Sequence, residues 1–85
     1  MKHYTTPDFW HKYNLLPPHI CKLADKNFEL LKNNSTHPSL HLKKVANYWS
    51  VRIGINYRAI AIQINEGLLW FWIGSHNEYN KIVKA

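Results

Sequence analysis

The stretch L-L-W-F-W-I-G-S-H-N-E-Y, residues 68–79, decides the fold, because it joins a strand to a short helix and puts polar side chains at the junction. Leu68 to Ile73 form an unbroken apolar run, which is typical of a buried strand. A Gly-Ser pair ends the run, and His76 and Tyr79 follow it. A rigid strand therefore delivers two proton-handling side chains to its end, where we expect a cleft.

The residues after this strand predict a short C-terminal helix from His76 to Lys84. His76 and Tyr79 are three positions apart, so they share one face of that helix. We interpret His76 as a proton-handling residue. For Tyr79 the spacing leaves two interpretations open: it acts beside His76, or it packs against the sheet as part of the core.

Alternating apolar residues upstream predict an antiparallel meander. Leu40 and Leu42 alternate with polar residues and mark the start of one strand. Val51 to Ile55 and Arg58 to Ile64 show the same period of two, and each indicates a further strand. Because these two segments are so close in sequence, a tight turn around Asn56 must join them.

Two helices are predicted before the meander. Thr6-Pro7-Asp8 supplies an N-cap hydroxyl, a proline at the first helical position and an acid in the first turn. Leu16-Pro17-Pro18 ends this helix, and a second amphipathic helix runs from Pro18 to about Lys32. The element order predicts an α+β fold, with two N-terminal helices on one face of a small antiparallel sheet and a short C-terminal helix.

The 85 residues form a single domain, residues 1–85, whose small core relies on aromatic side chains. We expect Trp70 and Trp72 to be buried in the core. Trp49, which precedes the hairpin, is expected to be the most exposed tryptophan.

The charge balance is strongly basic, with 11 Lys and Arg against 5 Asp and Glu, a net charge of +6. This excess favours a polyanionic partner such as nucleic acid, an acidic protein or an anionic membrane, and does not choose among them. The lone Cys21 excludes an internal disulfide, and Met1 to Asp8 is too polar for a signal peptide. We therefore expect a soluble cytoplasmic protein with no membrane partner.

Four cations precede or occupy the predicted hairpin. Arg52 and Arg58 lie on the strands of the hairpin. Lys43 and Lys44 are adjacent on the strand before it, so they point to opposite faces of the sheet. We expect Lys43, rather than Lys44, to face a substrate. Together with the strand-end histidine and tyrosine, these cations indicate a phosphate-handling site. His37 and His41 are four residues apart, a spacing found in metal sites on helices. Pro38 prevents a helix from placing them on one face, so we predict no metal site.

Four motifs in order give the chain a family resemblance: H-P-S-L-H-L-K-K (37–44), Y-W-S-V-R-I (48–53), N-Y-R-A (56–59) and W-F-W-I-G-S-H-N-E-Y (70–79). From Phe9 to Val83 the chain resembles the RelE/ParE superfamily of toxins from type II toxin–antitoxin systems. Members of that family usually open with a β-strand. Met1 to Thr5 is barely long enough for one, so we expect the first strand to be short or missing and to leave a sheet edge open.

The resemblance implies two different activities. RelE-like members are metal-independent endoribonucleases that cut mRNA in the A site of the ribosomal 30S subunit, whereas ParE-like members inhibit DNA gyrase. The histidine and tyrosine after the last strand favour the RelE-like alternative, which implies catalytic roles for Arg58, His76 and Tyr79. The same alternative implies substrate binding by Lys43, Lys44 and Arg52.

The resemblance also implies a cognate antitoxin as partner, beside mRNA and the ribosome, and no cofactor. It is compatible with a monomeric toxin or a toxin–antitoxin hetero-oligomer. A third alternative is a toxin-derived protein that keeps the fold and only binds RNA or a partner.

Overall fold

The computed structural model describes residues 2–84, which form one five-stranded sheet and three helices. The elements in chain order are β1 (Lys2–Thr5), α1 (Pro7–Tyr13), α2 (Pro18–Asn33), β2 (Lys43–Val45), β3 (Tyr48–Ile53), β4 (Tyr57–Ile64), β5 (Gly67–Ser75) and α3 (His76–Val83). In the sheet the strands lie in the order β1-β5-β4-β3-β2. The predicted α+β class is confirmed.

The first strand is present and short. β1 pairs in parallel with β5, from Lys2 opposite Gly67 to Thr5 opposite Trp70, so the predicted antiparallel sheet is mixed at this edge. A side chain at Gly67 would collide with the Lys2 carbonyl, so this approach requires glycine. Because α1 begins at Pro7, β1 leaves the β5 edge from Phe71 to Ser75 without a parallel neighbour.

Helices α1 and α2 cover one side of the sheet, which we call the helix face. The Thr6 hydroxyl accepts a hydrogen bond from the Phe9 amide at 3.2 Å and so starts α1 as predicted. Buried side chains from both helices pack with the strands in one cluster: Phe9, Ile20, Ala24, Leu31, Val51, Ile53, Ala59, Ala61, Leu68, Trp70 and Ile73. This cluster is the main core.

Because β5 contains a bulge, the side chains of the two core tryptophans point to opposite faces of the sheet. Ile60 pairs with Trp72 while Ala61 pairs with Trp70, so Phe71 is one extra residue in β5. Trp70 therefore lies in the core of the helix face, and Trp72 packs with Ile60 on the opposite side. Both tryptophans are buried, as predicted. In a regular strand two residues two positions apart point to the same face, and the bulge places these two on opposite faces.

Helix α3 covers part of that opposite side, which we call the α3 face. Ser75 caps the helix in a capping box with Glu78, in which the Ser75 hydroxyl accepts the Glu78 amide at 3.2 Å. Tyr79 then packs with Ile60 and Trp72 in a second, smaller core. The capping box fixes where α3 begins and therefore where its first side chains lie.

Three local predictions were wrong. Pro38–Leu40 is a 3-10 turn followed by His41 in the left-handed region, so β2 begins at Lys43 rather than at Leu40. Ile55 belongs to the β3–β4 turn and is 82% exposed, because Gly54 has already left the strand at φ 62°. Trp49 is half-buried and packs against the main core.

His3 makes the stability of β1 sensitive to pH. The Trp70 indole donates a hydrogen bond to His3 Nδ1 at 3.1 Å, and burial lowers the pKa of His3 below its usual 6.5. The unfolded chain therefore binds the proton more readily, so the stabilisation is present above about pH 6.5 and falls as the pH drops through the folded-state pKa. We expect the Tm of the wild type to fall on acidification. The Tm of His3→Asn should fall less, because its amide oxygen keeps an acceptor for Trp70 and does not titrate.

Calorimetry between about pH 7.5 and pH 5 measures this difference. His11→Asn is the matched control, because His11 is exposed on α1. Equal acid sensitivity of the His3 variant and the wild type would show that this contact does not couple folding to protonation.

Candidate functional site

The α3 face collects three of the four predicted cations. Arg52 on β3 lies directly opposite Arg58 on β4, and Arg58 lies opposite Gly74 on β5. Lys43 pairs with Ser50, which is two residues from Arg52 and therefore points to the same side. Lys44 points to the helix face, so the two lysines diverge as predicted. The sheet thus places a row of cations beside the start of α3.

The Arg58 guanidinium is held by the turn that precedes it. Its Nη1 donates to the Tyr57 carbonyl at 2.7 Å, and the Ile55 and Gly54 carbonyls lie at 3.2 and 3.4 Å. Burial and then the neighbouring Arg52 charge lower the pKa of Arg58. Because one nitrogen is anchored, the remaining donors of the fork are oriented and available to an anion.

Arg52 is positioned through its backbone. Its carbonyl accepts a hydrogen bond from the Asn27 side-chain amide at 2.9 Å, and Asn27 is itself buried in α2. The Arg52 Nε atom is buried and has no hydrogen-bond partner among residues 2–84. A buried charged donor without a partner is costly, so a negative charge close to this guanidinium would be stabilising.

No carboxylate among residues 2–84 forms an ion pair with these cations. The single ion pair within residues 2–84 joins Lys32 to Glu29 on α2, so neither Arg52 nor Arg58 is neutralised by an acid. Two like charges directly opposite each other in a sheet destabilise the fold unless something compensates them. The arrangement is that of an anion site rather than a structural ion-pair network.

His76 stands at the start of α3, beside this row. Its backbone amide donates to the Asn56 carbonyl at 2.7 Å, which ties the helix start to the β3–β4 turn. The half-buried ring stacks on Tyr79 with centroids 5.9 Å apart, and Asn80 Nδ2 lies 3.4 Å from Nδ1. Both contacts orient the imidazole while leaving Nε2 available to a substrate.

Tyr79 is only 6% exposed, and its hydroxyl donates to the Ser50 hydroxyl at 3.2 Å. Of the two interpretations of Tyr79, the structure therefore places it in the core beneath His76. Its ring stacks against the His76 ring and fills the space between α3 and the sheet.

Tyr79→Phe tests this placement. The variant keeps the ring that stacks on His76 and loses one buried hydrogen bond, so we expect a loss of roughly 0.5–1.5 kcal/mol in the free energy of unfolding. Urea denaturation measures this loss, with Tyr4→Phe, at an exposed position, as control. An unchanged free energy of unfolding in Tyr79→Phe would show that this hydrogen bond does not stabilise the core.

The loop histidines flank the 3-10 turn that precedes β2. His37 Nδ1 is 2.6 Å from the Ser39 hydroxyl and caps the 3-10 turn. Among residues 2–84, no three His, Cys, Asp or Glu side chains are grouped closely enough to hold a metal ion. No helix in the same range is long and apolar enough to cross a membrane.

Sequence reasoning missed the role of Asn27 in this site. Helical spacing places Asn27 on the buried face of α2, and a polar residue at a buried helical position is the available signal that a side-chain hydrogen bond must be made there. Its partner, a carbonyl on β3, is 25 residues away and is not visible from spacing.

A small mixed sheet with two helices on one face and a third on the other is the fold of the RelE/ParE class of toxins. The chain belongs to the ParE-like toxin domain family, whose model matches residues 18–81. This range contains all the candidate residues described above. No curated protein matches the chain in sequence.

Solved structures share the fold at low sequence identity. A chain of the RelB–RelE antitoxin–toxin complex from Methanococcus jannaschii superposes with a TM-score of 0.72 at 19% identity, over 93% of this chain and 96% of that one. YafQ from E. coli strain BL21(DE3) gives 0.69 at 13% identity, over 92% and 96%. The YoeB/ParE toxin from Agrobacterium tumefaciens gives 0.68 at 19% identity, over 89% and 99%.

Proposed function

We propose that this protein is the toxin of a toxin–antitoxin pair and that it inhibits translation by cleaving mRNA. The observation that supports this most directly is the juxtaposition of Arg52 and Arg58 on the α3 face, without a carboxylate partner and beside His76. Gyrase inhibition, the alternative activity of the superfamily, has no need for a proton-handling residue at this position.

The chemistry follows from these groups. The ribose 2′-oxygen attacks phosphorus, the bond to the 5′-oxygen breaks, and the products are a 2′,3′-cyclic phosphate and a 5′-hydroxyl. Arg58 and Arg52 stabilise the dianionic phosphorane between these states. His76 gives a proton to the departing 5′-oxygen while a water molecule takes the proton of the 2′-hydroxyl, or the two exchange these roles.

The other predicted residues assist in different ways. Lys43 is exposed in the same row and binds the RNA backbone on either side of the reacting phosphate. Lys44, exposed on the opposite side of β2, contributes to long-range attraction of RNA. Tyr79 keeps the His76 ring in position.

The proposed partners are mRNA on the ribosome and a cognate antitoxin. RelB is the antitoxin in the M. jannaschii complex that shares this fold. A net charge of +6 and a cationic row without acids favour an antitoxin segment rich in acidic side chains. Such a segment would neutralise the row and exclude RNA from it.

Induced expression with mapping of transcript ends tests the proposal, with an Arg58→Ala/His76→Ala double variant as reference. New transcript ends at fixed codon positions, seen only with the wild type, support the nuclease. Growth arrest with intact mRNA and an induced DNA-damage response, in both proteins, would instead identify a gyrase inhibitor. If the folded wild-type protein causes no growth arrest, the result would indicate a protein that keeps this fold and only binds RNA or a partner.

A further inference from the structure

A pocket of ≈ 240 Å³ lies at the open edge of β5, between the α1–α2 turn and the first turn of α3. Its floor is the segment from Trp72 to Ser75, which extends past the end of β1. Its walls consist of Lys12, Leu15, Leu16, Pro17, Tyr57 and Glu78. At about 30 Å³ for each water molecule in the liquid, the pocket is large enough to receive a whole apolar side chain.

An exposed leucine lies at the rim of this pocket. Leu15 is 76% exposed and sits in the turn between α1 and α2. Its backbone amide donates to the Lys12 carbonyl at 3.1 Å, and Pro17 and Pro18 follow it in the chain, so the turn holds the side chain in place. A side chain that is already held loses little conformational freedom on binding. One surface therefore carries both an apolar side chain and a pocket that can receive one.

The charges of the pocket lining sum to zero. Lys12 on α1 and Glu78 on α3 both line the pocket, yet they form no ion pair within the described range 2–84. One Glu78 oxygen, Oε1, accepts from the Ser75 hydroxyl at 3.0 Å, and the other remains available to a partner. Although the chain carries a net charge of +6, this lining does not repel a second copy as the cationic row does.

We infer that this pocket is the contact surface of a homodimer, in which Leu15 of each copy enters the pocket of the other. A two-fold axis brings the same patch of both copies together, so each contact occurs twice and the patch must be complementary to itself. This patch meets that condition in shape and in charge, because Lys12 of one copy lies opposite Glu78 of the second copy.

The dimer is expected to be reversible. One leucine, one pocket and one ion pair from each copy make a contact at the small end of specific interfaces, where association is weak. Gly74 in the pocket floor is the cross-strand neighbour of Arg58, so the second copy lies one strand away from the cationic row. Dimerisation of this kind does not depend on the proposed nuclease activity, and it is measured without RNA.

Sedimentation velocity of the purified full chain tests the dimer. The protein is studied at about 10 µM to 1 mM, in about 0.15 M salt, so that charges more than about 8 Å apart are screened. We expect the wild type to change from monomer to dimer across this range. Leu15→Ser should stay monomeric and folded, because the leucine is exposed in the monomer. A wild type that stays monomeric throughout would overturn the inference.

Two charge reversals at the pocket give a sharper test. Lys12→Glu puts two acids at the patch and Glu78→Lys puts two cations there, so each variant alone should dimerise at least about tenfold more weakly than the wild type. An equimolar mixture should dimerise again, because the acidic patch of one variant faces the cationic patch of the other. Lys26→Glu and Glu66→Lys carry the same charge changes at exposed positions outside the pocket, and each should dimerise as the wild type does.

Circular dichroism shows whether each variant is folded, since Glu78→Lys removes the acid of the capping box. Folded variants whose mixture stays monomeric, beside a wild type that dimerises, would place the dimer contact elsewhere. The indole NMR signal of Trp72, assigned with Trp72→Phe, reports on other occupants. If that signal shifts on addition of an oligoribonucleotide or the antitoxin while the wild type stays monomeric, the pocket belongs to that partner and the homodimer is rejected.

Discussion

Arg58→Ala is expected to lower the rate of RNA cleavage by roughly 10²- to 10³-fold, the usual effect of removing one donor that stabilises a transition-state oxyanion. The effect is large because this side chain is already oriented, with Nη1 held by the turn carbonyls, and has no carboxylate to compete with phosphate. The measurement is the rate of transcript cleavage in a translation extract with purified protein.

Arg58→Lys should restore little of this rate. A lysine supplies the charge, but it lacks the planar fork that holds the turn and presents further donors to phosphate. Lys22→Ala, which removes one exposed charge from α2, is the control for net charge and should stay close to wild type. An Arg58→Ala protein that folds and cleaves within about threefold of wild type would remove Arg58 from the mechanism.

The order and type of the elements were predictable because local signals agree with the global fold. Thr6-Pro7-Asp8 and Pro17-Pro18 set the helix starts, and the apolar run ending at Gly74 set β5. These signals act within a few residues, where propensity and periodicity are informative. The first strand was harder, because four residues carry little periodicity and its stability comes from pairing with β5.

The composition of the cationic row was predictable from the sequence, and its geometry was not. Alternation separates Lys43 from Lys44, but the pairing of Arg52 with Arg58 depends on the register of the β3–β4 hairpin. The bulge at Phe71 likewise decides that Trp72 and Gly74 face the α3 side. A one-residue shift in register would turn every side chain of the shifted strand to the other face of the sheet. No local signal in this sequence indicates which register forms.

The sequence predicts a cleft at the end of β5, but it does not predict that the pocket there is lined by both Lys12 from α1 and Glu78 from α3. These two residues are 66 positions apart, and each has a sufficient local explanation as a helix-terminal charge. Their relation appears only when α1 and α3 are placed at the same end of the sheet. Sites assembled from separate elements are therefore the part of function that a single sequence conceals.

His76→Ala is expected to lower cleavage by roughly 10²- to 10⁴-fold, the range for loss of a positioned proton-transfer group. Arg58 and Arg52 would still bind RNA, so the loss should appear in kcat rather than in KM. His19→Ala, an exposed histidine on α2, is the matched control.

The side chain of Asn80 gives this expectation a second test. The Asn80 side-chain amide lies 3.4 Å from Nδ1 of His76 and holds the ring with Nε2 toward the substrate, so Asn80 is a positioning residue for the proton transfer. Asn80→Ala should then lower kcat about tenfold while His76→Ala/Asn80→Ala is no slower than His76→Ala alone. Additive losses in the double variant would show that Asn80 acts independently of His76. A His76→Ala protein with wild-type kcat would assign proton transfer to another group or to water.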